Sequence, residues 1–170
     1  MISNAEIKKI RSLTTKKGRD LNNLILIEGK RLVEQVIKSN FNIDKLWTTE
    51  SFKTKNKDLI SQVGDTDIDF ISNKDLKKIT MTQNPSGIIG IMKPPIGDIK
   101  GMSQRIIALD NISDPGNLGS ILRTANWFGI NNVLLSEDCV DLYNPKVIRS
   151  AMGAHFCMNI VSGEIERYIK

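Results

Sequence analysis

Residues 110–129 read DNISDPGNLGSILRTANWFG, the strongest structural signal in the second half of the chain. The apolar run immediately before them, RIIAL at residues 105–109, predicts a strand. That strand enters a loop of Asp, Asn, Pro and Gly, which opens directly into a predicted helix over residues 115–128. Asp114 is placed to cap the helix, Pro115 suits its first turn, and Gly129 can end it. Leu118, Ile121, Leu122, Ala125 and Phe128 recur at helical spacing and are the expected buried stripe, with Ser120, Arg123, Thr124 and Trp127 on the other side. In open α/β sheets, ligands gather at such turns, at the carboxyl ends of the strands. Helix amides exposed there attract anions, and Asn117 and Arg123 add an amide and a fixed cation close to that edge.

A second unit of the same kind follows. A strand is predicted at residues 132–135, then DLYNPKVIRSAMGAHF (141–156) with a helix over 144–152, a strand at 157–160 and a helix from Glu164 onward. Its loop should open on the same edge, bringing Asn144, Arg149 and Ser150 towards Asn117 and Arg123. Two arginines with amide and hydroxyl groups suit a phosphate or a ribose.

The first half also alternates helix and strand. Ser3 with Glu6 is a capping-box pattern that predicts a helix over residues 4–13. TTKKGRD (14–20) reads as a basic loop with a glycine turn, and LILIE (24–28) as a buried strand. Further elements are expected at 30–39 (helix), 43–48 (strand), 57–63 (helix), 67–71 (strand), 73–79 (helix, capped by Ser72) and 87–92 (strand). KPPIGDIKGMSQ (93–104) is the best linker. Two α/β domains are therefore expected, at 1–93 and 105–170, joined by 94–104.

Composition is that of an ordinary soluble protein, with 25% charged and 40% apolar residues. The net charge of +5 is unevenly spread: residues 1–104 hold 18 Lys and Arg against 12 Asp and Glu, and residues 105–170 hold 6 against 7. A basic front half points to a polyanion partner, against the plainer reading of a solvated Lys-rich surface. Lys16, Lys17 and Arg19 stand under the same two readings. Two cysteines and one histidine support neither a disulfide framework nor a tetrahedral metal site, so no metal is expected. His155 is expected to be structural, Cys139 and Cys157 to be small thiols, and Trp47 to be core. No apolar run reaches the ~18 residues of a membrane span, and MISNAEIKKI lacks a signal-peptide core, so a cytoplasmic protein is expected. No G-x-G-x-x-G follows a predicted strand, which argues against a dinucleotide-binding oxidoreductase.

At these residues the sequence resembles the TrmH-type (SpoU) branch of the SPOUT superfamily, RNA ribose 2′-O-methyltransferases that use S-adenosylmethionine. The resemblance is carried by Asn117, Leu118, Gly119, Ile121, Arg123, Thr124 and Ala125, then by Asn144, Pro145, Arg149, Ser150, Met152 and Gly153. In the front half it is carried by Arg19, Glu28, Gly29 and Leu32, and by TQNPSGIIGI (82–91). It implies an α/β fold: a ribosomal-protein-like substrate-binding domain, then the first part of a parallel-sheet α/β-knot domain. It further implies Arg123 and Asn117 as catalytic residues, and Arg149 and Ser150 as holding RNA or shaping a dimeric active site. RNA contacts are expected as well from Asn144, Lys16, Lys17, Arg19, Lys30 and Arg31. Ribosomal RNA as substrate and a homodimer formed through the rear domain are also implied. The family's later Gly-Glu-Gly and Ser-x-Asn motifs, which supply most of the cofactor pocket, do not occur in these 170 residues. The resemblance thus leaves the cofactor residues unassigned and implies an inactive form as it stands, truncated before the knot. The alternative is a non-catalytic protein that binds structured RNA.

Overall fold

The computed structural model describes residues 2–102 and 105–167. The chain divides into two compact units, Met1–Pro94 and Pro95–Lys170.

In the first unit, helix α1 (Asn4–Ser12) starts from the expected capping box: the Ser3 hydroxyl accepts from the Glu6 amide, and the Glu6 carboxylate accepts from the Ser3 amide. These Ser3 hydrogen bonds, with Lys45 as a lesser cause, hold the Glu6 carboxyl down to about 2. The supposed basic loop is instead helix α2 (Lys16–Asn22), capped by Thr15. Glycine inside this helix has a tertiary reason, because a Cβ on Gly18 would overlap the Ser12 carbonyl where α1 and α2 meet. Arg19 is corrected with it. Its side chain is 5% exposed and donates to the Leu13 carbonyl at 2.9 Å, so it braces the α1–α2 junction rather than facing an RNA.

The remaining elements are β1 (Ile25–Glu28), α3 (Lys30–Lys38), β2 (Lys45–Thr48), α4 (Glu50–Lys55), α5 (Lys57–Ser61), β3 (Asp67–Phe70), α6 (Asn73–Ile79) and β4 (Ile88–Met92). Sequence periodicity misses α4, whose single buried apolar residue is Phe52; its Thr49 cap, bonded to the Phe52 amide, starts it. The sheet order is β1-β4-β2-β3, with β4 antiparallel to β1 and β2, and β2 parallel to β3. Side chains of a strand alternate between the two faces. Leu26, Trp47, Ile89 and Ile91 pack with Ile10, Leu13, Leu76 and Ile79 of the α1 and α6 side. The opposite set, with Ile25, Ile27, Ile88 and Met92, is buried along with Leu32, Val33 and Val36 of α3.

The second unit is a parallel sheet in the order β5-β6-β7: β5 (Ile106–Leu109), β6 (Asn132–Leu135) and β7 (Asn159–Ser162). Helices α7 (Pro115–Trp127) and α8 (Pro145–Ala151) form the crossovers. Leu109, Val133, Leu135 and Ile160 pack with Leu118, Leu122, Val147 and Ala151, so both helices cover one face, as successive right-handed crossovers require. Residues 95–98, from within the expected linker, run beside β7, where a Cβ on Gly97 would overlap the Ile160 carbonyl. Asp98 and Asn159 exchange two hydrogen bonds (2.8 and 2.7 Å), and the Tyr143 hydroxyl donates to the Pro95 carbonyl at 2.5 Å.

Three expectations change here. Phe128 is 71% exposed, because α7 ends at Trp127 and Phe128 lies past its last turn as the C-cap. The last strand begins at Asn159, since Ala154–Cys157 winds into a 3₁₀ turn after Met152 and Gly153 take left-handed φ of 52° and 85°. The helix expected from Glu164 is a 3₁₀ turn at Ile165–Arg167, and its continuation over 168–170 lies outside the described residues.

Candidate active site

The site is built at the carboxyl end of β5. Residues 110–114 climb from the strand to α7, where the Asp114 carboxylate accepts the Asn117 amide at 2.7 Å and closes the first turn. Asn111, Ile112, Ser113, Asp114, Asn117, Ser120 and Ile121 line an open cleft of about 370 Å³. Its lining combines amides, hydroxyls and one carboxylate, a set that hydrogen-bonds ribose hydroxyls. No cation stands among the described residues that line it, so a phosphate would have to be held from outside.

Arg123 lies on the exposed side of α7, as its helical phase predicts, but it does not line the cleft that Asn117 enters. It turns towards α8, where its guanidinium donates to the Met152 thioether at 3.5 Å. A thioether is a weak acceptor, one that an incoming anion displaces readily.

The first turn of α7 is held against both ends of the short helix α8. The Ser150 hydroxyl lies 3.1 Å from the Pro115 carbonyl and 2.8 Å from that of Lys146, and Lys146 faces Asp114 at 3.9 Å. Gly119 is where the helices touch, since a Cβ there would overlap the Ser150 hydroxyl and approach the Ala151 amide nitrogen to 2.8 Å. Ser150 is thus spent on helix packing. Asn144 is spent on capping α8, accepting from the Lys146 amide. Arg149 remains exposed on the last turn of α8. Sequence reasoning overlooked Ser136 and took Cys139 as a mere thiol, yet both bind the 110–112 backbone. The only local signal was their place in the turn after β6.

His155 is structural. It is 2% exposed, its Nε2 lies 2.9 Å from the Leu142 carbonyl, and the Tyr143 ring centre is 6.0 Å away. Burial pushes its pKa down to about 4, against the raising effect of the Leu142 hydrogen bond. A folded-state pKa below the ordinary 6.5 means that protonation favours the unfolded chain. The neutral ring's contribution is complete above pH 6.5 and is lost as pH falls towards 4, for a total of about 3 kcal/mol. Following the imidazole by NMR should give a folded-state midpoint near 4. A midpoint near 6.5 would remove His155 from the acid sensitivity of this unit.

In the first unit, Lys16, Lys17, Lys30 and Arg31 are exposed. Lys16 pairs with Asp20 at 2.8 Å and Lys30 with Glu34 at 3.7 Å, both one helical turn away. Such exposed pairs are worth only about 0.3–0.5 kcal/mol and do not withhold the cation from a polyanion. Glu28 serves the structure: its carboxylate accepts from the Met81 amide at 2.9 Å and the Thr82 hydroxyl at 2.5 Å, pinning the loop before β4. Among the described residues no cluster of His, Cys, Asp and Glu could hold a metal, and no helix is long and apolar enough to cross a membrane.

Comparison with known proteins resolves what these two units are. Residues 4–90 match the MRM3-like substrate binding domain, and residues 104–170 match the SpoU rRNA Methylase family. The chain is an MRM3-like substrate binding domain joined to a SpoU rRNA methylase region. It is 30% identical over 166 residues to a Bacillus subtilis 23S rRNA (guanosine(2553)-2'-O)-methyltransferase, covering 98% of this chain and 65% of that one. It is 32% identical to human mitochondrial rRNA methyltransferase 3, covering 92% of this chain and 38% of the relative. An AdoMet-bound rRNA methyltransferase from Sinorhizobium meliloti superposes with a TM-score of 0.86 at 26% identity, over 99% of this chain and 65% of that structure. A putative TrmH-family RNA methyltransferase from Porphyromonas gingivalis gives a TM-score of 0.82 at 28% identity, over 95% and 63%. The chain therefore spans at most about two thirds of the length of these family members. The α/β fold and the parallel second sheet implied by the resemblance are those of the family.

Proposed function

We propose that this chain is the substrate-binding and leading catalytic part of an S-adenosylmethionine-dependent methyltransferase acting on a ribose 2′-hydroxyl of ribosomal RNA. The observation that carries the reading is the match of both units, in order and over almost the whole chain, to an AdoMet-bound rRNA methyltransferase. The cleft beside α7 is open, and its apolar lining is Ile112 and Ile121, too little to sandwich an adenine ring. Asn117, with the other cleft amides and hydroxyls, orients the ribose. Arg123 holds the adjacent phosphate and stabilises negative charge growing on the attacking oxygen, which suits a guanidinium that stays protonated better than service as a base. Arg149, exposed on the neighbouring helix, adds a second cation for the RNA backbone.

The test is methyl transfer by the protein that carries this chain, using ribosomal RNA and labelled S-adenosylmethionine, with the product mapped to a 2′-oxygen. RNA binding without transfer would favour a non-catalytic RNA-binding protein. We also propose that the protein works in the cytoplasm as a homodimer through the second unit, which exposes Trp127 (85%) and Phe128 (71%) side by side. Sedimentation at assay concentration checks this, and a monomeric active protein would contradict it.

The same reading assigns the first unit most of the RNA affinity through its exposed cations. Alanine at Lys16, Lys17, Lys30 and Arg31 should weaken binding across RNA sequences. It should also flatten the salt dependence by roughly one unit of slope for each phosphate that is no longer neutralised. Arg19→Ala should instead lower stability, because Arg19 is buried at the α1–α2 junction. An unchanged salt slope in the fourfold variant would take these cations out of the RNA footprint.

A further inference from the structure

We propose that Ser136 and Cys139 are positioning residues for methyl transfer, holding the 109–112 backbone in the one conformation that presents Asn117 to the cleft. The proposal rests on the functional reading above.

Asn111 has a left-handed backbone, with φ of 52°. Asparagine tolerates that region better than most residues but still prefers the right-handed one, so something must hold it there. The holding groups all come from the turn after β6. The Asn111 amide donates to the Ser136 hydroxyl at 3.0 Å, and the next amide, of Ile112, donates to the Cys139 sulfur at 3.4 Å. The Cys139 thiol in turn lies 3.3 Å from the Leu109 carbonyl, and the two side chains are 3.6 Å apart. Backbone bonds complete the clasp: the Ser136 amide donates to the Leu109 carbonyl at 3.0 Å, and the Val140 amide donates to the Ile112 carbonyl at 2.8 Å. Two amides of the strained turn thus depend on side chains, and those are the two that mutation can remove. Two residues further on, Asp114 caps α7 through the Asn117 amide, so a relaxed turn moves the helix cap and the Asn117 side chain together. The turn after β6 and the loop that lines the cleft are therefore tied together. No other role is apparent for a hydroxyl and a thiol placed side by side at the carboxyl edge of a parallel sheet.

The test uses the protein carrying this chain with S136A, C139A, both together, and C139S. Two quantities are read: hydrogen exchange at the Asn111 and Ile112 amides, and the separate kcat and KM for RNA. The double variant should exchange about tenfold faster at those two amides and lose about tenfold in kcat, with KM for RNA within about twofold, because misplacement of a catalytic group costs rate rather than binding. C139S, which keeps a donor and acceptor at that position, should stay close to the parent in both. Unchanged exchange overturns the proposal, as does faster exchange across the whole unit, which would mean general destabilisation. A loosened loop with unchanged kcat overturns it as well. If the parent protein transfers no methyl group, the functional reading fails, and the exchange result alone decides whether the pair holds the loop.

Discussion

Arg123→Ala lowers single-turnover methyl transfer by about 10²–10³-fold, the usual cost of losing one preorganised electrostatic group, while RNA affinity stays within a few-fold. The expectation comes from where the residue sits. Arg123 is exposed on α7, off the stripe formed by Leu118, Leu122 and Ala125, so its removal opens no cavity in the core. Its guanidinium bonds to the Met152 thioether, which contributes little to folding. Its loss is therefore felt where charge develops during reaction, and hardly in the ground state. Lysine at this position should recover little, since it cannot reproduce the planar fork that binds a phosphate through two parallel hydrogen bonds. The control is Arg105→Ala, an exposed cation ahead of β5 at the opposite end of the strand from the cleft, which should be nearly silent. The measurement is single-turnover methylation at saturating RNA and S-adenosylmethionine. A near-parental rate, or a loss confined to RNA affinity, would make Arg123 a binding residue.

Gly119→Val should destabilise the second unit by about 3 kcal/mol and abolish activity with it, an overpacking cost at the upper end of the usual range. Gly119 lies under Ser150, where even a single Cβ would overlap the hydroxyl and come within 2.7 Å of the Ser150 Cβ and 2.8 Å of the Ala151 amide nitrogen. The hydroxyl can rotate away, but the backbone of α8 cannot move without disturbing Val147 and Ala151, both fully packed against α7 and the sheet. The chain has one tryptophan in each unit, Trp47 and Trp127, which lets the two be followed separately. In a Trp127→Phe background, the Trp47 transition in urea should stay at its parental midpoint when Gly119 is replaced. Loss of helical signal should come at lower urea than in the parent. Pairing Gly119→Ala with Ser150→Ala should recover part of the stability, because the two residues meet directly. Parental stability of Gly119→Val would mean that α7 and α8 do not touch at this point.

Most of the second unit was legible because its signals are local. Asp114 and Pro115 set the start of α7, and the helical phase set which side chains were buried, so the exposure of Ser120, Arg123, Thr124 and Trp127 followed without any tertiary information. The capping box of Ser3 and Glu6 was equally local, both partners lying within one turn. Phase alone failed at Phe128, where the helix had already ended.

What the sequence could not yield depends on residues distant along the chain. Gly18 looks like a loop signal, and its place inside α2 makes sense only from the Ser12 carbonyl packed against it. Arg19 reads as a surface cation beside two lysines until the fold buries it and gives it the Leu13 carbonyl. Ser150 looks like a site residue until α7 is laid against it. The loop geometry beside Asn117 is the clearest case, because Ser136 and Cys139 lie 25 and 27 positions away from the amides they hold. Capping, turn and periodicity effects act within a few residues, so the strands, most of the helices and the faces that carry charge or apolar groups could be read from the chain alone, α2 and α4 excepted. Which polar groups are spent on packing and which are left to meet a ligand follows from the fold, because a polar side chain's role depends on which distant backbone groups come within hydrogen-bonding distance of it.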